Sequence, residues 1–300
     1  MGAPAAGIEF PLEAIHIKQA IYYGSYLVFP FVAHVAYRLK RDSRRRWIGV
    51  LLLSAALVFI WARFVEPQII TVEKHRASPG FPARIALISD IHMGLYKGEG
   101  FLRRLVGKLN ALDVDVVLIA GDLIYEPDRP LGELFEPFRD LRHKAYAVRG
   151  NHDSEMPGPP VERELREALA AAGVRLIENE TLKIGAYTLV GLGDVWAAND
   201  KVEMLKAFSA SDNVVVLIHN PDAVARFPPG IADVTLAGHT HGGQMRIPWL
   251  YRTVIPTRMP FDRGWYELPG ARVFVTSGVG EIGLPLRFLV PPVIDVIVLN

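Results

Sequence analysis

Five short apolar runs in this 300-residue chain each close on a polar cluster, and that ordered series most restricts the fold. Arg84 to Ser89 leads into Asp90-Ile91-His92. Asp115 to Ala120 leads into Gly121-Asp122, and Lys144 to Val148 into Arg149-Gly150-Asn151-His152-Asp153. Later, Asn213 to Ile218 precedes His219-Asn220, and Val234 to Ala237 precedes Gly238-His239-Thr240-His241-Gly242-Gly243. Short apolar runs bounded by turn residues read as buried strands. Between and after the first three, Glu99 to Asn110, Leu131 to Leu141 and Val161 to Ala172 have helical apolar spacing. Strand–helix alternation predicts α/β architecture. In an open α/β sheet the carboxyl ends of the strands meet at one crevice, which would gather the five clusters there.

Taken singly the clusters say little. Asp-x-His suits a turn or a helix cap, Gly-Asp is ordinary turn chemistry, and a histidine after an apolar strand is commonly a hydrogen-bonded core residue. Five in order, each after an expected strand and together holding five of the nine histidines, point to metal chemistry. Divalent ions take oxygen from Asp and Asn and nitrogen from His, and a pair of ions needs a carboxylate shared between them. Glycines beside the ligands allow sharp turns and close approach of a phosphate. The absence of cysteine excludes thiolate-ligated zinc, iron–sulfur clusters, disulfides and a thiol nucleophile.

The set Asp90-x-His92, Gly121-Asp122, Gly150-Asn151-His152-Asp153, His219 and Gly238-His239-x-His241 resembles the calcineurin-like metallophosphoesterase family across residues 81–300. Gly242-Gly243-Gln244, with the apolar N-terminus described below, resembles its membrane-associated bacterial branch, which includes a UDP-2,3-diacylglucosamine pyrophosphatase. The resemblance implies a four-layer α/β/β/α sandwich with two divalent ions at the strand ends: manganese first, with zinc, iron or magnesium as alternatives. It implies Asp90, His92 and His241 on one metal, Asn151, His219 and His239 on the other, and Asp122 bridging. A bridging hydroxide would attack phosphorus, and His152 would protonate the leaving oxygen. Many members carry an acidic residue three positions after the bridging Asp to orient that histidine. Here Tyr125 stands there, leaving Asp153 or a backbone carbonyl to hold His152.

Ahead of this domain, Gln19 to Tyr37 and Trp47 to Val65 are apolar, the second interrupted only by Arg63, which is placed to snorkel. Each approaches the roughly 20 residues that cross a bilayer as a helix. Between them, six of the nine residues Arg38 to Arg46 are basic. The positive-inside rule puts that loop in the cytoplasm and the downstream domain outside. No small-residue cleavage site follows Val65, so a retained anchor is expected rather than a signal peptide. The expected organisation is a two-helix membrane anchor in 1–70 (spans near 19–37 and 47–65), a linker at 71–80 and the catalytic domain at 81–300. The net charge of +1 is then a cancellation: residues 1–80 hold ten basic and five acidic groups, and the remainder 23 and 27. Neither balance calls for nucleic acid.

Other segments are less specific. Gly278-Val279-Gly280-Glu281-Ile282-Gly283 fits a dinucleotide fingerprint, but Pro285 and Pro291-Pro292 exclude the helix that must follow. Asp194, Gln244 and Arg287, with Ser277, are candidate substrate contacts. Gln244 to Gly270 lacks clear periodicity and interleaves Arg246, Arg252, Arg258 and Arg263 with Trp249, Tyr251, Phe261 and Trp265. That mixture suits an anionic lipid head group, and single-stranded nucleic acid too; the anchor favours lipid, and a mere packed excursion of the chain is an equal alternative. The expected function is hydrolysis of a phosphodiester or pyrophosphate on a membrane-associated or lipid-linked substrate, with no obligate protein partner. The competing class is a membrane-tethered receptor or scaffold that retains a metal-binding but inactive domain. The cytoplasmic face is the alternative location, because lipid A pyrophosphatases work there.

Overall fold

The structure, a computed structural model, describes residues 12–41, 46–154 and 161–300. Two six-stranded sheets form the body of the chain beyond residue 70. The first runs Thr71–Ala77, Val293–Leu299, Ala83–Ile88, Val116–Ala120, Ala145–Val148, Val174–Leu176, with only the Val293–Leu299/Ala83–Ile88 pair antiparallel. The second runs Gly264–Leu268, Ala271–Val275, Val234–Ala237, Val214–Leu217, Tyr187–Gly191, Glu180–Ile184, parallel except at its two edges.

Period-2 alternation divides each strand between two cores. Ala86, Ile88, Val117 and Ile119 pack under the helices Glu99–Asn110 and Glu162–Ala171, whereas Ile85, Leu87, Val116 and Leu118 meet the second sheet. From the second sheet, Leu189, Val215, Leu217 and Leu236 fill that shared core. Val190, Val214 and Val216 point outward, under the 3-10 segments Val202–Ala207 and Pro221–Arg226. The fourth layer is therefore 3-10 rather than the expected α-helix. Six-residue segments, one opened by a proline, are too short to nucleate and propagate α-helix.

Other departures have local causes. The expected helix 131–141 is α only at Leu131–Leu134 and 3-10 at Glu136–Asp140, because Pro137 lacks an N–H and crowds the preceding turn. Residues 71–80, expected as a linker, supply Thr71–Ala77 as the edge strand of the first sheet, paired parallel to the C-terminal strand. The irregular segment 244–270 ends in the strand Gly264–Leu268, where Trp265 packs edge-on against Phe274 across the pair.

The N-terminal region is a helical hairpin. One arm is Leu12–Gly24, a 3-10 turn Ser25–Leu27, and Val28–Arg41; the other is Arg46–Ile60, continuing through a π turn to Gln68. A Cβ on Gly49 would fall 2.4 Å from the Leu39 side chain, so the arms pack closely there. Among the described residues, only Arg46–Gln68 is long and apolar enough to cross a membrane. Its 23 residues reach about 34 Å at the helical rise, past the roughly 30 Å hydrocarbon core. The expected two-span anchor is thus reduced to one qualifying span: the α-helical pieces of the first arm have 13 and 14 residues, about 20 Å each. Residues 1–11 of the anchor and 42–45 of the basic loop lie outside the described residues.

The span is fastened to the catalytic body at its exit. Arg63 does not snorkel; it is buried, donates to Ser25 Oγ at 3.0 Å and lies over the Tyr22 and Phe64 rings. Arg287 N donates to Ala62 O at 2.9 Å, Val290 N to Glu66 Oε1 at 2.7 Å, and Lys97 Nζ to Pro67 O at 2.6 Å. Residue 287 and its neighbours are therefore held against the last turns of the apolar helix.

Candidate metal centre

All five polar clusters converge at the carboxyl ends of their strands. Five of the seven candidate ligands sit at positive φ: Asp90 (52°), His92 (50°), Asp122 (53°), His239 (73°) and His241 (51°). Non-glycine residues seldom occupy that region, and a run of them at one locus marks backbone strain held for a site. Glycines make the crowding tolerable. A Cβ on Gly150 would lie 2.1 Å from Asp122 Oδ1, and one on Gly238 would lie 1.9 Å from Ser89 Oγ.

The ligand atoms fall into two buried groups, Asp90/His92/His241 and Asp122/His219/His239. In the first, Asp90 Oδ1 is 3.3 Å from His241 Nε2, which is 3.2 Å from His92 Nε2. In the second, His219 Nε2 is 3.3 Å from Asp122 Oδ2 and 3.1 Å from His239 Nδ1. Asp122 Oδ2 is also 3.6 Å from His92 Nε2, so this one oxygen reaches both groups.

Three backbone carbonyls decide where the lone pairs point. His92 Nδ1 faces Ile124 O at 3.3 Å, His219 Nδ1 faces Ala120 O at 2.7 Å, and His239 Nε2 faces Pro256 O at 3.1 Å. A ring nitrogen facing a carbonyl carries the proton, so in each neutral ring the other nitrogen presents a bare lone pair to the centre. His241 differs: its Nδ1 is buried without a partner. Asp90 Oδ1 and Asn151 Oδ1 are likewise buried and without a hydrogen-bond partner. Bare nitrogens and orphaned oxygens aimed at one another repel unless cations lie between them. The residues therefore fit a pair of divalent ions, held by oxygen and nitrogen alone.

Charge in the ion-free cluster is distributed accordingly. Burial pushes Asp90 up to about 7, and burial pushes His92 and His239 down to about 3. His219 goes the other way: burial opposes its charge, but the Asp122 carboxylate outweighs it and raises the imidazole to about 10. Asp122 in turn stays well below the usual carboxylate range, because His219 and His152 outweigh its own burial.

His152 stands at the edge of this centre. Its backbone N donates to Asp122 Oδ1 at 3.0 Å, and its ring meets Tyr125 and His92 edge-on, with centroids 5.7 and 5.4 Å away. The Asp153 carboxylate does not hold the ring. It accepts from the backbone N–H groups of Leu123, Ile124 and Gly150, tying two ligand loops together. Tyr125, at the usual acidic position, contributes an aromatic wall.

The candidate substrate contacts fare differently. Asp194 is buried, accepts from Trp196 N and Ala197 N, and so turns the loop that sets Trp196 edge-on to His239 at 4.7 Å. Gln244 lines the cavity, but its amide is committed to Ile282 and Leu284, bracing one loop on another. Arg287 is a correction: it is fully buried, and its guanidinium is spent on the carbonyls of Gly280, Val290 and Ser277. Ser277 is buried as well and lies outside the cavity lining. That cavity, about 420 Å³, opens over Asp122, Asn151, His152, His239 and His241. Its outer wall, Met245, Val254, Ile282 and Leu284, was not singled out in the sequence, where isolated apolar residues in an aperiodic loop carry no signal.

Comparison with known proteins bears on this geometry. The calcineurin-like phosphoesterase model matches residues 83–243. The chain belongs to that family. It is a metallophosphoesterase, a hydrolase, with candidate dimetal-binding groups in place. It is 29% identical over 292 residues to the uncharacterized metallophosphoesterase YkuE of Bacillus subtilis, covering 87% of this chain and 99% of the relative. It is 28% identical over 265 residues to the phosphodiesterase YaeI of Escherichia coli, covering 82% and 95%. It is 23% identical over 311 residues to the UDP-2,3-diacylglucosamine pyrophosphatase LpxG of Chlamydia trachomatis, covering 82% and 94%.

Proposed function

We propose that this protein hydrolyses a phosphodiester or pyrophosphate bond on a membrane-associated substrate, using two divalent ions at the strand-end centre. The observation that carries the reading is the sharing of Asp122 Oδ2 between two groups of inward-facing lone pairs. Asp90, His92 and His241 would hold one ion, Asn151, His219 and His239 the other, with Asp122 common to both. The carboxylate and amide oxygens suit manganese, and the four imidazoles suit zinc or iron as well. When bound, the ions supply Lewis-acid charge and lower the pKa of a water.

The chain's own residues do the rest. Backbone carbonyls of Ala120, Ile124 and Pro256 fix the imidazole orientations, so little reorganisation accompanies the reaction. His152, beside Asp122 and lining the cavity, donates a proton to the leaving oxygen. The relatives' names support a diester or pyrophosphate target, one of them lipid-linked. The span Arg46–Gln68 supports a membrane location. The basic residues at the far end of the hairpin support a first arm that completes the anchor and a catalytic domain on the outer face.

The test is turnover of bis(p-nitrophenyl) phosphate by the purified full-length protein with Mn²⁺. Asp122→Asn is expected to remove it, and unchanged turnover in that variant would reject the assignment. Two ions bound with no turnover on diesters or pyrophosphates would favour the scaffold reading.

A further inference from the structure

Apolar side chains beside the cavity mouth have no use within the fold. Trp249 is 95% exposed, Val254 65%, Leu289 57%, Leu250 55% and Leu284 42%. They come from two loops that are bonded to each other. Arg246 N donates to Phe288 O at 2.9 Å, Phe288 N to Gln244 O at 3.0 Å, and Gln244 Nε2 to Leu284 O at 2.9 Å. The five therefore lie on two adjoining loops, and Val254 and Leu284 line the same cavity. Trp249 and Leu289 also sit at positive φ, 66° and 61°. For bulky side chains that backbone is unfavourable, yet it turns two large apolar groups outward. Contiguous exposed apolar surface marks an interaction site.

The patch is continuous with the exit of the membrane helix, and that continuity identifies its occupant. The turn carrying Leu289 is fastened on one side by Arg287 N to Ala62 O and on the other by Val290 N to Glu66 Oε1. Its position relative to the helix is thus set by hydrogen bonds to the helix's last turns. Arg252, on the loop of Trp249, has its side chain 61% exposed and holds its guanidinium 3.7 Å from the Asp262 carboxylate. Tryptophan and arginine beside an apolar span are the residues of a membrane interface. Val254 and Leu284 line the catalytic cavity as well, so the patch and the cavity share a wall.

We propose that the loops Met245–Val254 and Leu284–Leu289 form a lip that inserts into the bilayer surface beside the span. The inserted lip holds the mouth of the metal cavity at the lipid head groups. Given the hydrolase reading above, the substrate class is an amphiphilic phosphoester whose phosphate enters the cavity while its acyl chains stay in the bilayer.

The chain has no cysteine, so single nitroxide labels can be placed without background. Full-length Trp249→Cys, Leu289→Cys and Arg163→Cys variants would be labelled and placed in nanodiscs of phosphatidylethanolamine and phosphatidylglycerol. Labels at 249 and 289 are expected to be shielded from a water-soluble nickel relaxant and open to oxygen. The label at 163, whose arginine side chain is 93% exposed on a helix remote from the lip, is expected to report water. Cooperative thermal unfolding of each labelled protein verifies its fold. Accessibility to nickel at either lip position equal to that at 163 would overturn the proposal. The measurement involves no turnover: an inserted lip on a protein inactive toward bis(p-nitrophenyl) phosphate would sink the hydrolase reading alone.

Discussion

At His219, Nδ1 faces a carbonyl and Nε2 faces Asp122, and the ion-free imidazole holds its proton up to about pH 10. A divalent ion needs that nitrogen bare, so binding must expel the proton. Between about pH 7 and 10 the affinity should therefore rise about tenfold per pH unit, and more steeply below about 7, where Asp90 also holds a proton; near neutrality between one and two protons are released per chain. Calorimetric titration with Mn²⁺ in buffers of different ionisation enthalpy measures this, and binding heats independent of buffer would contradict it. Gly150 offers a second test at this scale. Its substitution by Ala drives a methyl into Asp122 Oδ1, and a displacement near 1 Å costs about 10²-fold in kcat/KM. Reduced metal content with an unchanged circular dichroism spectrum would accompany that loss. The candidate ligand residues could be picked out in the sequence because their types and strand-end positions are local properties. Arg287 was misread for the complementary reason: an arginine beside a glycine-rich turn looks like an anion contact until its N–H groups are seen to end on three carbonyls.

Among the elements, the junction between span and body is the least expected. Lys97, at the start of the helix Glu99–Asn110, is buried and joins Pro67 O to the Glu281 carboxylate 2.9 Å away. Burial pushes its ammonium down to about 8 from an ordinary 10.5, against the pull of Glu281. Between those values the unfolded chain binds the extra proton, so this group's share of stability rises with pH from about 8 to about 10.5. The gain is on the order of 3 kcal/mol. Lys97→Met should abolish that rise. Thermal unfolding of both proteins across pH 7 to 10 checks this; parallel curves would contradict it. Strand Thr71–Ala77 belongs to the same junction. It read as a linker because three charged side chains and a histidine hide its pattern, and its partner, Val293–Leu299, lies over 200 residues away.

At the scale of the whole molecule, the proposed anchor and its basic residues would put the domain on the outer face of the membrane. With the loop between the arms held inside, a C-terminal alkaline phosphatase fusion should be active and a green fluorescent protein fusion dark. A bright fluorescent fusion with a silent phosphatase would place the domain in the cytoplasm. The first arm also touches the catalytic body directly. Tyr22 stacks on Tyr96 at 5.5 Å and Lys18 pairs with Glu126, next to the Tyr125 wall of His152. Deleting residues 1–45 should therefore lower turnover of a soluble diester as well as membrane attachment. Full soluble activity in that truncation would show that the arm serves only as a tether.

The sequence by itself determined the α/β class, the five polar strand ends and the presence of an apolar span. Each of these is written in local pattern: period 2, residue type and run length. Only the tertiary structure decided that one Asp122 oxygen reaches both ligand groups, that carbonyls orient three histidines, that Arg287 and Gln244 are braces, and that two apolar loops meet beside the end of the long helix. Those facts depend on which segments meet, and two loops bonded 40 residues apart leave no periodicity for a sequence to display.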